Sequence, residues 1–596
     1  MRKFWRTASR PAHLPAIAQA EEMLHSFTAS GRALFYFFAG LLVVSSLGLL
    51  HLLNQSLLVS VPARGGTLTE GIIGSPRFIN PVLAATEADR DLAALVYSGL
   101  LAATPAGQYV PDLAARYEIS EDGSVYTFSL REDAMFHNGT AVRASDVVFT
   151  VAKIQDPATK SPLRASWEGV VAEEIDPLTV RFVLRAPYAP FIKNLTLGIL
   201  PAHLWQSVSS DEFSWSDLNT SPVGSGPFRV AAVSRTAAGI PSSYELRSFG
   251  AHALGRPHLD GLILRFYSSE QALAEALRRG EISSAGGLSP ALLADLPVNF
   301  AVRRAPQNRV FGVFFNQNQS EVLRDRDVRE ALSAAIDRPA LVATVLAGFG
   351  TPLEEPIPPR LLQPLAAGES TSFVDEDEVG SAERVDRARE MLLTSGWKES
   401  GGGVLEKVTG SGDNKKTIPL AFSLSTGNVP ELRAAAEALR EVWSRMGAAV
   451  EVKIFEPGDL SQNVIRPRRY DALLFGQVVG RELDLFAFWH SSQRNDPGLN
   501  VALYANTTVD KTLEELRATA DPARRLALYE QFRAEFLKDL PALLLYTPDF
   551  VYGFPENIAG LELGLIETPS DRFLSVLDWH TQREWVWPFF VALNAP

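Results

Sequence analysis

FHNGTAVRASDVVFTVAK, residues 136–153, admits two readings. By residue type, His137 and Asp146 make an acid and a base. By pattern, His137-Asn138-Gly139 is turn chemistry. Val147, Val148 and Val151 then form the apolar face of a helix. The first reading makes the stretch a reactive centre and the second makes it scaffold. The surrounding chain separates them.

A chain of 596 residues is too long for one core and implies two or three domains. At 46% hydrophobic and 21% charged it has the composition of a folded globular protein. The net charge is -13, and no basic stripe with interleaved aromatics occurs, so no nucleic-acid partner is expected. The absence of cysteine excludes disulfides, thiolate metal sites, a Cys nucleophile and a lipid anchor on an N-terminal Cys.

Residues 33–53, ALFYFFAGLLVVSSLGLLHLL, carry no charge. At about 1.5 Å per residue they reach across a bilayer. Arg2, Lys3, Arg6, Arg10 and Arg32 precede them, so the positive-inside rule leaves residues 1–32 in the cytoplasm and exports the rest. A cleaved signal peptide is the alternative. The apolar run is longer than the usual signal core, starts far from Met1, and lacks a clean small-x-small site after it. A retained single-pass anchor is therefore expected, followed by a tether over 54–65.

From Thr67 onward strand and helix patterns alternate. SVYTFSL (124–130) and LTVRFVL (178–184) alternate like half-buried strands, after the turn-formers SEDG and EIDP. Residues 327–348 predict two helices, with Asp337 as N-cap of the second, Pro339 in its first turn and Gly348 at its end. Residues 430–446 predict an amphipathic helix closed by Gly447, then the strands AVEVKIF (449–455) and YDALLFG (470–476). The class is α/β (mixed α+β). Acidic 374–378 and Gly-rich 400–412 read as surface loops.

Catalytic signatures are missing. There is no P-loop, HExxH, GxSxG or dinucleotide glycine pattern. Ser395-Gly396-Trp397-Lys398 fits SxxK but lies at a helix end without the companion motifs. The nine His have no ligand spacing, and Glu173/Glu174 read as solvated surface. No enzyme activity, metal or cofactor is expected.

Five segments, in order, point to one family: INPVLAATEADRDLAALVYSGLL (79–101), FHNGTAVRASDVVFT (136–150), SPVGSGPFRV (221–230), FNQNQSEVLRDRDVREALSAAIDR (315–338) and AREMLLTSGW (388–397). From about Gly66 to about Gly560 the chain resembles the family 5 extracellular solute-binding proteins, the oligopeptide- and dipeptide-binding components of ABC importers. That resemblance makes 136–153 scaffold. The family's capping Thr is replaced by Arg143, so Ser145 or Asp146 is expected to cap the helix.

The resemblance implies a two-lobed periplasmic-binding-protein-like fold after the anchor. Lobe I would span 66–310 with a subdomain at about 106–215, lobe II 311–545, and 546–596 would return to lobe I. The crossings fall near 306–315 and 543–551. Ligand is enclosed by hinge closure, and peptide is held by strand-like main-chain bonds. The implied ligand-binding set is Thr86, the edge Gly476-Gln477-Val478-Val479-Gly480, Asp484 and Trp489, with Gly476 admitting a close ligand backbone.

The chain departs from the family at one point. Peptide binders carry GWxxD, whose Asp pairs with the ligand's α-amino group. Here Gln477 stands in the Trp place and Gly480 in the Asp place. Asp484, the nearest later acid, either substitutes or caps a helix. Trp489, with His490, Ser491 and Gln493, either faces the cleft or packs inside. The expected function is a monomeric membrane-anchored protein that delivers oligopeptides to ABC permease subunits. The alternatives are a non-peptide solute such as a sugar or metal chelate, and an anchored ligand sensor.

Overall fold

The computed structural model describes residues 23–293, 300–362, 380–410 and 415–589. The acidic segment 374–378, residues 411–412 of the Gly-rich loop, and the basic residues before position 23 lie outside them. The chain divides into two compact units, one made of Met1–Ala63 with Gln582–Pro596, the other of Arg64–Thr581.

In the first unit, the helix Ala29–Leu57 has no buried residue and a mean hydropathy of 2.2 over its most apolar window. It extends four residues beyond each end of the expected span. Thr28 caps it by accepting from the Gly31 N–H at 3.3 Å. The strand Val59–Ala63 follows and pairs antiparallel with Gln582–Val586. The segment expected as a tether thus contains a strand, and Gln582–Val586 pairs with it.

The second unit is organised by Ala542–Pro555, a strand of 14 residues buried at nearly every position. Its run LLLYTPDFVYGF is apolar without alternation, as a strand covered on both faces must be. Residues 542–548 pair with Arg309–Phe315 and Gly350–Pro352, and residues 549–555 with Phe300–Pro306 and Ser284–Gly286. The partner changes at Pro548, opposite Gly350, and at Asp549, opposite Pro306. Proline has no N–H to continue a ladder, so the two prolines stand where one sheet gives way to the next.

On one side of that change, Thr67–Ile73 lies between Gly261–Tyr267 and Ser284–Gly286, and the sheet ends in Pro241–Ser248 and Phe228–Arg235. On the other side, Arg309–Phe315 leads to Ala472–Val478, Ala421–Gly427 and Ala449–Phe455. The cores divide likewise. One large cluster draws on residues 68–264, Ala305 and 550–579, and two others draw on residues 310–546 with Leu565. A separate four-stranded antiparallel sheet runs Ala114–Ile119, Val125–Leu130, Thr179–Val183, Val171–Asp176. Val125–Leu130 buries alternate residues, as its sequence predicts.

The opening stretch is scaffold. His137 Nε2 lies 3.0 Å from the Gly226 carbonyl, and its Nδ1 accepts from the Gly224 N–H at 3.3 Å. The ring thus clamps the turn SPVGSGPF against the segment before the helix Ala144–Gln155. Burial pushes the His137 pKa down to about 4. The Gly226 N–H donates to the Val96 carbonyl at 2.8 Å, an approach a side chain would block, since a Cβ there would meet Val96 C at 2.5 Å. Arg143 holds the N-cap position and Asp146 sits at N3, where Oδ2 accepts from the Arg143 N–H at 2.8 Å and Oδ1 from the Ala202 N–H at 2.8 Å. Asp146 caps, therefore, from inside the first turn.

Most local expectations match. Asp337 caps Arg338–Leu346 by accepting from the Ala340 N–H at 2.9 Å. The left-handed turn after that helix begins one residue early, at Ala347 (φ 48), with Gly348 (φ 83) next. Pro430–Arg445 is a helix, and Ala449–Phe455 is the strand expected.

Candidate functional site: the cleft between the two cores

A cavity of ≈ 300 Å³ opens between the two groups of elements. Tyr109, Tyr126 and Ile192 wall it from one side. Leu361, Glu482 and Arg525 wall it from the other. Arg481, Glu482 and Leu483, which follow the strand Ala472–Val478 in the chain, also line it. That strand is paired along its length with Arg309–Phe315, while Ala421–Gly427 reaches it only at Ala472 and Leu473. Residues 475–478 thus keep one edge without a strand partner among the described residues.

The segment Gly480–Asp484 bears most of the polar contacts. Tyr188 donates from its hydroxyl to Asp484 Oδ2 at 3.0 Å, across 296 residues of chain. Arg517 donates to both Asp484 oxygens, at 2.8–3.2 Å, and its guanidinium lies 5.1 Å from the Tyr188 ring centre and 4.2 Å from that of Phe486. Burial and the Asp484 charge push the Tyr188 pKa up to about 12. Arg481 donates to Asp571 Oδ2 at 2.5 Å and to the Leu565 carbonyl at 2.7 Å. The Glu482 carboxyl is raised by burial, against the opposing pull of Tyr109 and Arg525. Arg525 donates to the carbonyls of Leu516 and Thr519, each at 3.2 Å, and to that of Glu482. Lys193 is ion-paired to Glu567.

Cations and anions in the cleft are thus matched: Lys193, Arg481, Arg517 and Arg525 against Glu482, Asp484, Glu567 and Asp571. The Tyr188–Asp484 and Arg481–Asp571 contacts cross from one core to the other.

The sequence-predicted residues divide. Gln477 (7% exposed) and Val479 (2%) are buried, whereas Val478 is 40% exposed on the open edge. At Gly476 a Cβ would meet the Phe311 ring at 2.7 Å, so the missing side chain makes room for a cross-strand aromatic. A Cβ at Gly480 would stand 3.6 Å from Lys193 Nζ and 3.7 Å from Glu567 Oε1, so this position faces an ion pair. Asp484 combines capping, through the Phe486 N–H at 3.2 Å, with its bond to Arg517. Trp489 is 2% exposed and packs on Phe536 at 4.9 Å between ring centres, which places it in the core and not in the cleft. Thr86 caps Glu87–Val96 in a reciprocal box with Asp89.

Sequence reasoning missed Tyr109, Tyr188, Lys193, Glu482, Arg517 and Arg525. Only Glu482 carried a local signal, a second acid beside Asp484 in an otherwise apolar stretch.

The family model described as "Bacterial extracellular solute-binding proteins, family 5 Middle" matches residues 108–498. The oligopeptide-binding protein AppA of Bacillus subtilis is 26% identical over 509 residues, covering 84% of this chain and 89% of its own length. The structure of B. subtilis AppA in complex with a nonapeptide superposes with a TM-score of 0.64 at 25% identity, over 87% of this chain and 99% of that one. NikZ of Campylobacter jejuni, solved in complex with Ni(L-His), has the same fold, with a TM-score of 0.66 at 23% identity over 86% and 99% of the two chains.

Proposed function

Because the chain belongs to the bacterial extracellular solute-binding proteins of family 5, and so has their two-lobed fold and solute-binding role, we propose that it is a membrane-anchored receptor that captures oligopeptides by lobe closure and delivers them to an ABC permease. Ala29–Leu57 is the anchor, with the N-terminus in the cytoplasm. The anchor holds the receptor at high effective concentration beside the permease. The chain acts as a monomer and makes or breaks no bond.

The observation that supports this reading best is the cavity between the lobes, lined by Arg481, Glu482 and Leu483 a few residues after the free edge of residues 475–478. An extended peptide can add main-chain bonds to such an edge. Its volume, ≈ 300 Å³, stands at the small end of the roughly 300–1,000 Å³ range of ligand pockets, which favours short ligands.

One observation favours a second reading, a solute without a free amine. Gly480 itself carries no acid, and the carboxylate beside it, that of Glu567, is already paired with Lys193. A carboxylate, a blocked N-terminus or a metal chelate suits that point better than a second ammonium.

The test is the melting temperature of the full chain in detergent micelles, recorded with pools of short peptides, free or N-acetylated. A ligand specific to the folded state adds about 2.7 kcal/mol at a hundredfold excess over Kd. Shifts with both pools support peptide capture without an amine clamp. A shift with free-amine peptides alone restores the clamp. No shift with either overturns the peptide reading in favour of the second.

A further inference from the structure

The ribbon formed by Val59–Ala63 and Gln582–Val586 is attached to the apolar helix by a single residue, Leu58. Its register is antiparallel, with Ala63 opposite Gln582 and Val59 opposite Val586. The returning strand therefore runs towards the helix end, and its composition changes along the way. Gln582, Arg583 and Glu584 lie at the end away from the helix, and Trp585, Val586 and Trp587 at the end next to it. The sequence continues as an apolar run, WVWPFFVAL, over 585–593. Trp585 is 66% exposed and Trp587 43% exposed.

Two exposed indoles on a two-stranded ribbon are costly in water. Such a ribbon is marginal alone and needs a third surface, and large aromatics are normally among the more buried residues. Tryptophan is the side chain that membrane interfaces select, because its ring is apolar while its N–H still hydrogen-bonds. The register brings both indoles to the level at which the helix would leave the bilayer.

We propose that the Trp585–Trp587 end of this ribbon is a second membrane contact, seated in the headgroup region of the outer face beside the anchor. It would hold the exit of the helix at a fixed depth. The inference rests on Ala29–Leu57 being a retained anchor.

Since the chain has no cysteine, single reporters can be placed in it cleanly. Leu42→Cys, Arg583→Cys and Trp587→Cys, each in the full chain, are spin-labelled and reconstituted into vesicles of phosphatidylcholine with a minority of phosphatidylglycerol. Collision with oxygen and with a water-soluble nickel chelate reads the depth of each. The expected result is a label at 42 deep in lipid, a label at 583 open to the chelate, and a label at 587 several-fold less open to chelate than 583 while rich in oxygen. Since the substitution at 587 removes one indole, Val586→Cys repeats the measurement with both present. Labels at 587 and 586 as open to chelate as 583, with 42 in lipid, overturn the proposal and leave the anchor intact. Labels shielded from both reagents overturn it in favour of a protein partner. A label at 42 open to chelate overturns the anchor reading and this proposal together.

Discussion

Replacing Arg572 by Met tests how the fixed wall of the first lobe is held. Arg572 is 2% exposed, Glu70 0% and Asp91 1%. The guanidinium donates to Glu70 Oε1 at 2.6 Å and to the two Asp91 oxygens at 3.0 and 2.6 Å. Tyr552, on the long central strand, donates to Glu70 Oε2 at 2.6 Å. One cation thus joins the strand Thr67–Ile73, the helix Glu87–Val96, the central strand and the returning segment. Met keeps the apolar length of the side chain and removes only the charge and the donors. Two carboxylates are then left buried without their cation. Removing one partner of a buried pair costs about 3–5 kcal/mol. Urea unfolding of the full chain in micelles, followed by tryptophan fluorescence, measures the loss. Trp579 is a local reporter, 6.1 Å from the Tyr552 ring. The triple variant Arg572→Met/Glu70→Gln/Asp91→Asn removes the stranded charges and should recover part of the loss. A single variant that loses less than about 1 kcal/mol, or a triple variant no more stable than the single, refutes the reasoning.

Four further outcomes are expected. Asp484→Asn removes the charge under Arg517 and weakens the Tyr188 bond that crosses the cleft, so any captured solute should bind about 5–30-fold more weakly, for about 1–2 kcal/mol. Calorimetry with free and acetylated peptides should show equal losses, and a loss confined to free-amine peptides would make Asp484 the amine's partner after all. Gly480→Asp should fold normally, because its Cβ has ordinary contact distances, and should strengthen free-amine binding over acetylated by isothermal titration. Gly226→Ala drives a Cβ into the Val96–Tyr97 backbone and should cost about 1–3 kcal/mol by the same urea assay. His137 is neutral when folded at pH values where the unfolded chain already binds a proton. Its contribution is present above about 6.5 and is lost as pH falls towards about 4, by about 3 kcal/mol at most. His137→Gln should flatten that part of the stability–pH profile, and an unchanged slope would show that the ring is not buried neutral.

Much of this protein could be read along the chain because the relevant physics is local. Alternating Val, Tyr and Phe make Val125–Leu130 a half-buried strand wherever it lies. Asp337 caps a helix with its own neighbours. Twenty-one uncharged residues make a helix that suits a bilayer whatever follows them. The five ordered landmarks identified the family, and with it the cleft, because they are the turns and caps a scaffold needs. The residues that fill the cleft were a different matter. Gly480 reads as a vacancy in the sequence, yet Lys193 and Glu567 face it from distant segments. Trp489 sits in a polar neighbourhood in sequence and in an aromatic core in space. Asp484 could cap or bind until Arg517 and Tyr188 arrived beside it, and nothing near Arg572 announces that two carboxylates lie more than 480 residues before it. The pairing of Val59–Ala63 with Gln582–Val586 was equally invisible, since a strand edge carries no address for its partner. Backbone preference and apolar period act over a few residues and can be read from them. Charge pairing, ring packing and strand pairing are settled by whichever distant segments the fold brings together.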